Sequence, residues 1–257
     1  MSSALNHSIL QFDNVGFSYQ RDKEFIHNLT FSIGNNEFIG LLGANGSGKS
    51  TILRLASGIL RPSTGSVKLW GELLQSYRNG DRAKLLCYLP QLLDMPIPFR
   101  VRELVAMGLY PYEIIPDVTV DEALDIVGLV EKSESYIKNL SGGEKRRAFI
   151  AMTLLQGAGL LLLDEPLANL DIKYQVEIMR LLKGLKEKKN ISIMMALHDI
   201  NMALRFEKIM LIKNGKILGM GNPKTVLTSE MLTGAFDVAV ELKKLSSLST
   251  YASYLDF

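Results

Sequence analysis

Residues 43–51 read Gly43-Ala44-Asn45-Gly46-Ser47-Gly48-Lys49-Ser50-Thr51 and fit the spacing G-x-x-x-x-G-K-[ST]. The apolar run Phe38-Ile39-Gly40-Leu41-Leu42 leads directly into them. The expected context is therefore a buried strand, a tight glycine turn and the first turn of a helix. Glycines at this spacing let successive backbone N–H groups turn inward around an anion, and the helix after Lys49 adds the positive end of its dipole. Such a loop suits a triphosphate. Lys49 would reach the β- and γ-phosphates as a mobile point charge. The Ser50 hydroxyl would complete the coordination of a bridging Mg²⁺, and Thr51 would support the helix start. The plain alternative, a glycine-rich turn with a solvated lysine, leaves the full spacing unexplained.

A chain of 257 residues can bury one sizeable core with a smaller attached lobe. Lys+Arg 29 against Asp+Glu 27 gives a formal charge of +2, too small to argue for a nucleic-acid surface, and no nucleic-acid partner is expected. The single cysteine, Cys87, lies in the apolar stretch Leu85-Leu86-Cys87-Tyr88-Leu89 and reads as a buried structural thiol. No apolar stretch approaches the ~18–20 residues of a membrane span, and Met1 to His7 lack a charged-then-apolar leader. A soluble, cytoplasmic chain is expected.

Segments 9–17, 25–33 and 66–70 have β-favouring character and suggest an antiparallel sheet at one edge. Four later runs, 38–42, 84–89, 160–163 and 191–197, are apolar on both faces, the pattern of buried parallel strands. Between them, residues 92–155 show helical periodicity at 101–107, 121–130 and 142–155 and read as an inserted helical lobe. Asn214-Gly215, between Ile209–Lys213 and Lys216–Met220, predicts a two-residue hairpin turn. The tail from about 228 reads as a helix over 229–235 followed by ten final residues without a legible motif.

Leu160-Leu161-Leu162-Leu163-Asp164-Glu165 is a buried strand ending in two carboxylates, and α/β sheets present their chemistry at strand carboxyl ends. Adjacent strand positions point to opposite sides. Asp164 can then hold the magnesium shell while Glu165 polarises the water that attacks a γ-phosphate. Asn139-Leu140-Ser141-Gly142-Gly143-Glu144 stands at a helix start, where a hydroxyl and bare amides face outward.

Together these motifs resemble the nucleotide-binding subunit of ATP-binding cassette (ABC) proteins, whose Leu-Ser-Gly-Gly-Gln signature is matched at 140–144 except for Glu144. The resemblance covers nearly the whole chain in the family's order. It implies an α/β fold: a P-loop NTPase core with a mainly parallel sheet, an N-terminal antiparallel β subdomain and a helical subdomain at 92–155. All of this lies within one ATPase domain over 1–257, with a C-terminal tail at 228–257. It also implies ATP and Mg²⁺ as cofactors and assigns roles. Tyr19 would stack on adenine, Gln91 would sense metal and attacking water, and His198 would contact the γ-phosphate. Gly43, Asn45, Gly46, Ser47, Gly48, Lys49, Ser50 and Thr51 would hold one nucleotide. Ser141, Gly142, Gly143, Glu144 and Asp171 would face it from a second copy of the chain. The active unit would be a head-to-tail homodimer.

Two departures stand out. Ala168 occupies the place of a serine in the Asp171 loop, and Glu144 adds a negative charge that Lys145, Arg146 and Arg147 could offset, although they also read as a solvated helix face. The stretch from Met95 to Pro111, containing Val101-Arg102-Glu103-Leu104-Val105, is similar to ATPases serving importers of iron-siderophore complexes, haem and cobalamin. That likeness implies integral membrane permease subunits, an external solute-binding protein and a peripheral place on the inner face of the cell membrane. The competing class is a soluble ABC ATPase such as an iron–sulfur cluster assembly factor. A DNA-linked ATPase would need a long coiled coil, and no sustained heptads occur. A P-loop kinase or GTPase would leave Leu140–Glu144 without a role.

Overall fold

The computed structural model describes residues 8–20, 23–91, 98–113, 118–246 and 249–254. Three β segments near the start fold as expected: β1 (Ser8–Gln20) pairs antiparallel with β2 (Lys23–Gly34) and, after β3 (Phe38–Leu42) and α1 (Lys49–Ser57), with β4 (Thr64–Leu69). The short β5 (Glu72–Leu73) completes a sheet of order β2-β1-β4-β5. Helix α2 (Asn79–Leu85) precedes β6 (Leu86–Leu89), so Lys84 and Leu85, expected in that strand, close a helix instead. Next come α3 (Val101–Ala106), α4 (Val120–Val127), α5 (Gly142–Leu155) and β7 (Leu160–Leu163). They are followed by α6 (Ile172–Lys189), β8 (Ser192–Leu197), α7 (Ile200–Ala203), β9 (Lys208–Lys213) and β10 (Lys216–Gly221).

The second sheet has order β10-β9-β3-β8-β7-β6 and is parallel except for the β9–β10 hairpin. Its strands are apolar on both sides because each side faces a different core. Phe38, Leu161, Leu163, Ile193, Met195, Ile209 and Leu211 join α3–α6 in one core. Their alternating neighbours Ile39, Leu41, Leu160, Leu162, Met194, Met210 and Ile212 face α1 and the antiparallel sheet in the other.

Helices α3, α4 and α5 pack on one another. Helix α4 stops short of the expected residue 130 because Gly128 takes φ +67° and caps it. The positions 92–97 of the expected lobe, including Met95, Pro96 and Ile97, lie outside the described residues, as do Met1 to His7. After α8 (Pro223–Val226) and α9 (Ser229–Phe236), the tail forms an unanticipated antiparallel pair, β11 (Val240–Ser246) with β12 (Ser249–Tyr254). Among the described residues no helix is long and apolar enough to cross a membrane.

Candidate functional site

Strand β3 delivers its backbone into a loop that only glycine permits at two points: Gly46 has φ +77° and Gly48 φ +112°. A side chain on Gly43 would collide with the Ile212 carbonyl, while the space above Gly46 is open. Helix α1 then begins at Lys49, with Gly48 in the cap position and no side chain closing it. The result is a concave run of backbone at a helix N-terminus, with the Ser47 hydroxyl buried and unpartnered inside it. These features fit a polyphosphate.

Two backbone hydrogen bonds brace this loop from behind. The Gly215 N–H donates to the Ser47 carbonyl at 2.8 Å, and the His27 N–H donates to the Gly215 carbonyl at 3.1 Å. Asn214 and Gly215 both have positive φ, +47° and +72°, as a tight right-twisted hairpin requires. The turn thus clamps the loop to β2. A Cβ at Gly215 would meet the Phe25 carbonyl, so Gly215→Ala is expected to destabilise the chain by about 2 kcal/mol or more. Its urea midpoint should fall visibly, and an unchanged midpoint would show that the clamp yields freely.

Lys49 is 4 % exposed. Its ammonium donates to the Gly43 and Ala44 carbonyls at 2.8 and 3.1 Å and lies 3.6 Å from Glu165 Oε1. Burial draws its pKa down, opposed chiefly by the Glu165 carboxylate and then by Asp164. Asp164, also buried, accepts the Ser50 hydroxyl at 2.9 Å on Oδ1 and the Tyr88 hydroxyl at 3.0 Å on Oδ2. Burial pushes the Asp164 carboxyl up, while the two hydroxyl donors pull it down. Its backbone N–H reaches Leu89 of β6 at 2.9 Å, which fixes where the side chain leaves the sheet. Ser50 and Asp164 bring hard oxygens together as Mg²⁺ requires, and among the described residues no group of three or more His, Cys, Asp or Glu forms a separate metal cage.

Glu165 departs from the expected alternation. Strand β7 ends at Leu163, and Glu165 takes φ +46°, a left-handed conformation that is strained for a residue with a side chain. Its carboxylate reaches Lys49, which interacts with Asp164 as well, so the two carboxylates serve one cation. Gln91 Nε2 donates to Glu165 Oε2 at 3.0 Å, and His198 Nδ1 lies 3.7 Å from the same oxygen. Lys49, Ser50, Gln91, Asp164, Glu165 and His198 therefore converge at the carboxyl ends of the parallel strands.

Tyr19 borders this group. Its hydroxyl is 2.9 Å from Thr51 Oγ1, so Thr51 also serves to hold the tyrosine. Edge-to-face contacts with Phe17 and Phe25 support the ring, which stays 55 % exposed. Asp171 caps the start of α6 without a side-chain hydrogen bond, and Ala168 N–H donates to the Glu165 carbonyl at 3.1 Å.

Ser141 hydrogen-bonds to Glu144 at the start of α5. Gly142 is exposed, whereas Gly143 is buried where a side chain would strike the Tyr174 ring, so that glycine serves helix packing. Arg146 corrects the expectation of a charge-balancing solvated face. It is 6 % exposed and donates to the Pro90 and Gln91 carbonyls, both at 3.2 Å, tying α5 to the Gln91 segment. Arg147 is likewise turned inward, to the Val127 carbonyl at 3.3 Å. Two further residues were missed, Arg146 as a tether and Tyr88 as a partner of Asp164. Arg146 was findable from its place three residues after Gly143 on the inward helix face, and Tyr88 from its place near the carboxyl end of a parallel strand.

Residues 26–168 match the family model described as ABC transporter. The chain is 38 % identical over 233 residues to the petrobactin import ATP-binding protein of Bacillus anthracis, covering 87 % of this chain and 86 % of that one. It is 36 % identical to the hemin import ATP-binding protein of Rhodopseudomonas palustris, covering 88 % and 90 %. Its fold is similar to that of an inward-facing ABC transporter described as metal-chelate type, with TM-score 0.81, 26 % identity and coverage of 96 % and 97 %.

Proposed function

We propose that this chain, which belongs to the ABC transporter family, is the ATP-hydrolysing subunit powering import of a metal chelate through a membrane permease. The observation that carries this reading is the convergence of Lys49, Ser50, Asp164, Glu165, Gln91 and His198 around a polyphosphate cradle. Lys49 would leave its two loop carbonyls for the β- and γ-phosphates. Ser50 and Asp164, with Gln91, would hold Mg²⁺, whose charge neutralises the phosphate oxygens in the transition state. Glu165 Oε2 would take the proton of the attacking water, with Gln91 and His198 orienting that water and the γ-phosphate. Tyr19 offers an exposed ring face to adenine.

Signature residues Ser141, Gly142, Gly143 and Glu144, with Asp171, would close the site from a second copy, making the working unit a homodimer. The surface for the permease would begin after α3, where Met107 is exposed and Tyr110 is 94 % exposed. An external solute-binding protein and a cytoplasmic, membrane-peripheral location follow from this reading. The test is co-purification of the detergent-solubilised permease with the tagged chain, together with Ser141→Arg. That variant is expected to lose about 10²-fold or more of ATP turnover. Full activity in it would rule out a shared site, and a chain that never retains a permease would rule out transport.

A further inference from the structure

Glu144 stands where the family signature has glutamine, and it is bonded to the serine that would face the nucleotide. The Ser141 hydroxyl donates to Glu144 Oε2 at 2.9 Å, and the Ser141 backbone N–H donates to the same oxygen at 2.9 Å. In return the Glu144 N–H donates to Ser141 Oγ at 3.3 Å, closing a capping box at the start of α5. The Lys132 ammonium lies 3.9 Å from the other oxygen, Oε1. Hydrogen bonds from Ser141, its backbone above all, hold the Glu144 carboxyl below the usual carboxylate range.

An ionised carboxylate has no proton to give and a serine hydroxyl has one, so the proton between them belongs to Ser141. A phosphate is an acceptor too. Ser141 therefore cannot donate to a phosphate while it donates to Glu144. A charge-assisted bond of this kind is about twice as strong as a neutral one, so a glutamine would hold the hydroxyl less firmly and bring no negative charge toward the phosphate.

We propose that Glu144 is a latch on the signature: it holds the Ser141 hydroxyl within its own protomer, and the γ-phosphate bound by the facing protomer must displace that contact before the dimer closes. This deepens, and rests on, the shared-site reading. Glu144 acts through Ser141 and is a positioning residue. Its consequence is a higher ATP threshold for closure than a neutral side chain would set, with Lys132 lowering that threshold by partly balancing the charge.

The test introduces Glu144→Gln into the full-length chain already carrying Glu165→Gln and titrates ATP while light scattering follows dimerisation. The ATP midpoint is expected to fall roughly 3- to 10-fold. With Glu165 intact, Glu144→Gln should lower KM for ATP by a similar factor while changing kcat less. Lys132→Met, which leaves the cap in place, should raise the midpoint. A midpoint unmoved or raised by Glu144→Gln, or lowered by Lys132→Met, overturns the latch. Ser141→Ala separates the two failures. If it raises the midpoint while Glu144→Gln fails to lower it, the latch alone is wrong, and if it changes nothing, the shared site is wrong as well.

Discussion

Glu165→Gln is expected to reduce ATP turnover by about 10²- to 10⁴-fold while leaving an ATP-bound dimer that persists through size-exclusion chromatography. The substitution is nearly isosteric. A carbonyl oxygen remains to accept the Gln91 amide, now 3.0 Å from the carboxylate, and the positive φ of the backbone is unaffected. What disappears is the group that can take a proton. Ser50 and Asp164 keep their 2.9 Å contact, so the proposed grip on phosphate and metal would remain. Phosphate release assays give the first readout and dimer fraction the second. A variant that hydrolyses at the normal rate would exclude Glu165 as the base.

Lys49→Ala should weaken ATP binding itself, raising Kd by about 10- to 100-fold as a charge-assisted contact to phosphate is lost. The buried ammonium also lies 3.6 Å from Glu165 and interacts favourably with Asp164. Its removal takes away a buried cation that both carboxylates interact with, leaving Asp164 the Ser50 and Tyr88 hydroxyls and Glu165 the Gln91 amide. An anionic ligand then meets weaker attraction there. Isothermal titration with a non-hydrolysable ATP analogue reads the effect directly, and an unaltered Kd would remove Lys49 from the binding role. The two variants differ in kind: one binds without turning over, the other fails to bind.

The phosphate loop and the paired carboxylates were legible because their chemistry depends on residue type at short fixed spacing. The parallel strands were legible for a related reason, since a strand buried between two cores is apolar on both faces, as 160–163 and 193–197 are. Contacts between segments far apart in sequence were not legible. Arg146 looks like one of three consecutive surface cations until the helix is seen packed against residues 90–91. Tyr88 looks like one more buried strand residue until Asp164 is seen at its hydroxyl. The left-handed twist of Glu165 has no signature at all, because glutamate is not a residue that favours positive φ. The β11–β12 pair was missed because the two strands lie outside the main sheets and their sequences lack the continuous apolar runs that marked the others.

The clamp at the Asn214–Gly215 turn bears on the thermodynamics of nucleotide capture. A loop whose Ser47 carbonyl is already held by the hairpin, with the hairpin held in turn by His27, has given up part of its conformational freedom before any ligand arrives. Little ordering entropy then opposes ATP, and the amide groups keep their orientation after product departs. In the proposed homodimer, emptying the site would then fall to separation of the two copies more than to loosening of the cradle.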